Sequence, residues 1–139
     1  MKNEFKYNYV WVIDDNTIDN YITDKVLKKS GMAEEVSCFS EANLALISLK
    51  SVLESSRKIP EVIFLDISMP VMNGFDFLDE FIKIKFKTNL IPHIVMLSSS
   101  SDQNDISKAL TYSVVSAYLN KPLTAEAVLQ LKLESRKSQ

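Results

Sequence analysis

The chain has 139 residues, 46% of them apolar and 24% charged, with a formal net charge of −2. This is the length of one domain, able to bury about two-thirds of the surface its unfolded chain exposes without staples. The mixed, near-neutral charge argues against a nucleic-acid or membrane surface as the main partner. Cys38 is the sole cysteine, which excludes an intramolecular disulfide or a cysteine-built zinc site and points to a reducing, cytoplasmic setting. The N-terminus lacks the apolar core of a signal peptide, and no run approaches a membrane span.

Val10–Ile13 is an apolar run that stops at Asp14–Asp15. Asn16 or Thr17 then offers a cap for a helix in which Ile18, Ile22 and Val26 recur at helical spacing. Val36–Phe39 predicts a second short strand. Ser40 follows as a cap, with Phe39 and Leu44 spaced as a hydrophobic staple, and the helix runs on through Leu46, Leu49 and Leu53. A polar connection from Glu54 to Glu61 leads to a third strand, Val62–Leu65, which ends in Asp66. After Asn73–Gly74, Phe75, Leu78 and Ile82 form a helical stripe to about Lys85. Pro92 introduces a fourth strand, His93–Leu97, closed by a serine run. Asp102–Asp105 opens another helix, with Ile106, Ala109 and Leu110 on one side. A fifth strand, Val115–Leu119, ends at Asn120–Lys121–Pro122, and Thr124 to Arg136 reads as the last helix, with Ala127, Val128 and Leu131 apolar.

Strand and helix therefore alternate five times. Short apolar strands between helices imply a parallel sheet covered on both faces, and right-handed crossovers make it a doubly wound α/β domain. Ligands of such a sheet bind at the C-terminal ends of its strands. Those ends offer Asp14 and Asp15, Asp66, Ser98 and Lys121, scattered in sequence but converging in space. Close carboxylates resist full ionisation. A hard divalent cation such as Mg²⁺ relieves them, and a carboxylate beside a cation and a lysine suits phosphoryl transfer through an aspartyl phosphate.

From about Tyr9 to Arg136 the chain resembles the response-regulator receiver domains of two-component phosphorelays. The residues that carry the likeness are Asp14–Asp15, LDISMPVMNG from Leu65 to Gly74, the strand-four hydroxyl in MLSSS, and Lys121–Pro122, in this order and on these elements. The resemblance implies one receiver domain over residues 1–139, of flavodoxin-like fold with strand order 2-1-3-4-5. It implies Asp66 as phosphoacceptor, taking the phosphoryl group from a sensor histidine kinase or histidine phosphotransfer protein. Asp14, Asp15, Asp66 and the backbone carbonyl of Ser68 would hold Mg²⁺ (or Mn²⁺). Lys121 would pair with a phosphoryl oxygen, and Pro122 would follow a cis peptide. Ser98 is the implied switch hydroxyl, with Ser99 one residue off in register, and Tyr118 the aromatic partner of the switch. The surface of the fourth helix, fifth strand and fifth helix would then change its affinity for a downstream protein. The chain departs from the family in carrying serine where threonine is common, and in having no glycine in TYSVVSAY.

Plainer readings stand beside these. Asp14, Asp15 and Asp66 could each be turn or cap residues, Lys121 a surface lysine, Ser98 a solvated loop start and Tyr118 simple packing. His93, the only histidine, reads as a packed or edge residue, and Trp11 with Phe75, Phe77 and Phe81 as core. Two other functions compete. One is an aspartyl-phosphate phosphatase or phosphotransferase, which usually sets a second acid two residues after the nucleophile, where this chain has Ser68. The other is a receiver that binds a partner without phosphorylation, which loss of an acidic residue or of the lysine would favour. The short stretch after Lys121 suggests a stand-alone receiver or an excised domain.

Overall fold

The computed structural model describes residues 5–55, 58–86 and 91–133. Five strands, β1 (Tyr7–Ile13), β2 (Ala33–Phe39), β3 (Val62–Leu65), β4 (His93–Ser98) and β5 (Val115–Asn120), alternate with five helices, α1 (Thr17–Lys29), α2 (Ala42–Ser55), α3 (Gly74–Phe81), α4 (Gln103–Leu110) and α5 (Ala125–Gln130). All pairings are parallel and the order is β2-β1-β3-β4-β5. This is the expected doubly wound fold and strand order.

Side chains alternate across the sheet, so each central strand feeds two cores. Trp11, Ile13, Ile63, Leu65, Ile94 and Met96 face α2, α3 and α4, meeting Leu49, Phe77, Leu78, Phe81 and Ala109. Val10, Val12, Val62, Phe64, Val95 and Leu97 face α1 and α5, meeting Leu27 and Val128. Burial on both faces explains why these strands read as unbroken apolar runs rather than alternating ones. Trp11, Phe77 and Phe81 are core, as expected; Phe75 is buried, and its ring stacks on Tyr112.

Several boundaries and faces differ from the sequence reading. Strands β1 and β2 begin three residues early, at Tyr7 and Ala33, because backbone pairing between those two residues continues where the apolar run has not started. The inner face of α1 is not the Ile18–Ile22–Val26 stripe. Ile18 is 68% exposed, while Asn20, Thr23 and Leu27 are buried. Asn16 is the cap, its side chain accepting from the amides of Ile18 and Asp19. Helix α2 starts at Ala42, one residue later than a Ser40 cap requires, so Phe39 and Leu44 fall outside staple register. Leu44 is exposed and Phe39 packs on Trp11 instead, ring centroids 4.5 Å apart. Helix α3 ends at Phe81, with Ile82 an exposed C-cap, and Leu110 of α4 also faces outward. Helix α5 begins where the sequence reading placed it, with Thr124 as its cap, but stops at Gln130, where Leu131 turns extended. The end proposed for it at Arg136 lies outside the described residues, as do Ser56–Arg57 of the polar connection.

The α1 register has a direct thermodynamic signature. Leu27→Ala should destabilise the domain by about 2–5 kcal/mol, and Ile18→Ser should shift stability by about 0.5 kcal/mol or less, both read from urea midpoints. The reverse order would return the Ile18 stripe to the inside.

Candidate functional site

The site is assembled by backbone bonds that carry the sheet ladder one step past the strands. The Asp14 amide donates to the Phe39 carbonyl, the Asp66 amide to the Ile13 carbonyl and the Lys121 amide to the Ser98 carbonyl, each at 3.0 Å. Asp14, Asp66, Ser98 and Lys121 are therefore fixed at one edge before their side chains interact. Asp14 and Asp66 are buried and Asp15 is exposed, and one carboxylate oxygen from each of the three falls within 4.8 Å of the others. Asp14 is held twice more: its Oδ1 accepts from the Asn16 amide (2.9 Å), and its carbonyl accepts from the Asn20 side chain (2.8 Å).

Lys121 follows β5 and is joined to Pro122 by a cis peptide, as the resemblance implies. Its Nζ lies 2.6 Å from Asp14 Oδ2, 2.9 Å from Asp19 Oδ2 and 3.3 Å from Asp66 Oδ2. Burial works to lower the lysine pKa, but the hydrogen bonds to Asp14 and Asp19 and the charge of Asp66 outweigh it and raise it above the ordinary range. Asp66 is pushed up to about 6, first by burial and then by the Asp14 charge, against the opposing pull of Lys121 and of the Ser68 backbone N–H.

One ammonium thus pairs with three carboxylates, those of Asp14, Asp19 and Asp66, and the Asp15 carboxylate beside Asp14 and Asp66 adds a fourth negative charge to the edge. The excess negative charge fits a hard divalent cation whose preferred donors are carboxylate oxygens. Asp14, Asp15 and Asp66 are the side chains that would hold it.

The loop from Asp66 to α3 is tightly constrained. Val71 has φ 69° and is fully exposed, and the Met72 amide donates to the Pro70 carbonyl at 2.7 Å, closing a three-residue turn. A β-branched residue in the left-handed region is strained. Asn73 caps α3 in a reciprocal box with Asp76. A Cβ on Gly74 would overlap the Asp66 carbonyl oxygen and lie 2.9 Å from Ile67 Cα, so only glycine lets α3 start this close to the acidic residue.

Ser98 is the buried last residue of β4, and its Oγ accepts from the Ser100 amide at 3.1 Å; Ser99 is exposed. The Tyr118 hydroxyl donates to the Ser100 carbonyl at 2.9 Å, and Ser100 Oγ donates to Asp105 at 2.8 Å. The fourth loop is thus tied to β5 on one side and to α4 on the other. Sequence reasoning missed Asp19 and Asn20. The signal was present: Asp19 falls in the first turn of the helix that begins just after Asp14–Asp15, at the end of α1 nearest the site.

Because the folded Asp66 pKa lies above its unfolded value, the proton-linked stability is present below about pH 4 and is lost as pH rises through about 6. In metal-free buffer Asp66→Asn should therefore be more stable than the parent at pH 8 by about 1–3 kcal/mol. The gap should close by pH 4, as followed by urea unfolding across pH.

The family model described as response regulator receiver domain matches residues 10–132. A sensor histidine kinase, CheAY of Helicobacter pylori, is 31% identical over 93% of this chain, which spans 16% of that protein. A probable methanogenesis regulatory protein, FilR2 of Methanothrix harundinacea, is 26% identical over 84% of this chain and 74% of its own. Among solved structures, a two-component response regulator from Cytophaga hutchinsonii superposes with a TM-score of 0.80 at 31% identity, covering 88% of this chain and 92% of that one. With its strand order, its acidic edge and its lysine before a cis proline, the chain belongs to the response-regulator receiver domain family.

Proposed function

We propose that this receiver accepts a phosphoryl group on Asp66 from a phosphohistidine of a partner protein and uses it to switch a protein-docking surface. The observation that carries the reading is the convergence of the Asp14, Asp15 and Asp66 carboxylates on one edge with the Lys121 ammonium 3.3 Å from Asp66. The likeness to a sensor histidine kinase supports a phosphohistidine donor.

In this reading an Asp66 carboxylate oxygen attacks phosphorus, the phosphorus–nitrogen bond breaks, and the electron pair leaves with the imidazole. At neutral pH a carboxyl with a pKa of about 6 is mostly ionised and competent as a nucleophile. A bound Mg²⁺ would supply charge neutralisation for the phosphoryl oxygens. Lys121 is the second cation aimed at them. Ser98, at the end of β4, is the hydroxyl that would turn to the phosphoryl group. That move would give up its bond from the Ser100 amide and disturb the loop that Tyr118 and Asp105 hold. The local charge change would then reach α4 and β5 as a shift between two packings. The downstream target would be a protein; among the described residues no helix is long and apolar enough to cross a membrane.

Incubation with acetyl phosphate and Mg²⁺, followed by intact mass, should add one phosphoryl group to the parent protein. It should add none to Asp66→Asn or to chelator-treated protein, and Lys121→Ala should label at least about tenfold more slowly, as expected on losing a charge that neutralises the transferring group. Full labelling of Asp66→Asn would remove Asp66 from the role.

A further inference from the structure

The Lys121 ammonium has three N–H donors, and three carboxylates surround it. Asp14 lies at 2.6 Å, Asp19 at 2.9 Å and Asp66, the proposed phosphoacceptor, at 3.3 Å as the farthest partner. With its donors committed in this way, the lysine gains a phosphoryl oxygen only by releasing one of them.

The cost of release differs among the three. Asp14 has only 4% of its side chain exposed, and stranding it would leave a buried carboxylate short of a cation. Asp66 itself carries the incoming group. Asp19 sits on the first turn of α1 with its side chain 33% exposed, so water can replace the ammonium there. The Asp19 amide is fixed by the Asn16 cap at 3.0 Å, which holds this side chain at the mouth of the site while leaving it open to solvent.

We propose that Asp19 is a positioning residue, the resting counterion of Lys121, and that Lys121 exchanges Asp19 for a phosphoryl oxygen when Asp66 is phosphorylated. The inference rests on the proposed function of Asp66. It makes the phosphorylated state less favourable by the strength of the Lys121–Asp19 pair, so Asp19 tunes the switch without touching the reacting atoms.

The test is titration of the parent protein and Asp19→Asn with beryllium trifluoride in saturating Mg²⁺, read by fluorine NMR, together with a crystal structure of the parent complex. Asp19→Asn should bind this phosphoryl mimic about two- to fivefold more tightly, the range of a partly exposed ion pair. Asp19→Glu should return towards the parent affinity, which a merely structural role would not predict. In the parent complex Lys121 Nζ should be out of hydrogen-bond range of Asp19. Unchanged or weaker binding by a folded Asp19→Asn, or a retained Lys121–Asp19 contact in the complex, overturns the exchange while leaving the role of Asp66 standing. Failure of the folded parent protein to bind the mimic overturns the reading of Asp66 and the exchange with it.

Discussion

The Lys121 ammonium holds together an edge that would otherwise push itself apart. Asp14 and Asp66 are both buried, and both lean on this one cation. Burial, and after it the neighbouring Asp14 charge, raise the Asp66 pKa. The fold spends structure to create this tension. Ladder bonds continue beyond β1, β3 and β5 to fix the backbone of Asp14, Asp66 and Lys121. A buried charge cluster contributes little to stability by itself. The cluster is explained by the function proposed for it, holding an ion and a phosphoryl group, rather than by support for the fold.

The loop behind Asp66 tells the same story in backbone terms. Val71 occupies a conformation that costs a β-branched residue strain, and Gly74 is demanded by the approach of α3 to the Asp66 carbonyl. Strain of this kind persists where surrounding structure over-determines it. Here the box between Asn73 and Asp76 and the bond from the Gly74 amide to the Ile67 carbonyl, at 2.8 Å, do so. This loop keeps Asp66 at the end of β3 while α3 starts directly against its carbonyl.

The errors of sequence reading were physical rather than random. On α1 the isoleucines suggested an inner stripe, but the helix turns Asn20 and Thr23 inward instead. Its first turn lies over the polar edge, where the Asn20 amide is needed by the Asp14 carbonyl. Local amphipathicity yielded to the hydrogen-bonding demand of the site. The same rotation brings Asp19 to Lys121, which is why a reader who trusted the isoleucine stripe would miss it. The early starts of β1 and β2 were hidden for another reason: β2 is an edge strand whose Glu34 and Glu35 are exposed, so pairing rather than burial defines it.

The alternation of buried strands and helices was legible in the chain because a parallel sheet covered on both faces requires nearly continuous apolar strands. The four motif positions were legible because strand ends of a doubly wound sheet converge whatever their separation along the chain. The sequence by itself therefore determined the architecture, the edge that carries the polar site, and Asp14, Asp15, Asp66 and Lys121 as its members. Tertiary structure decided the rotation of α1, the entry of Asp19 into the lysine's partners, the bonds linking Ser98, Ser100 and Tyr118, and the strain at Val71. Those features depend on distances between segments far apart in the chain, and local propensity carries no information about them.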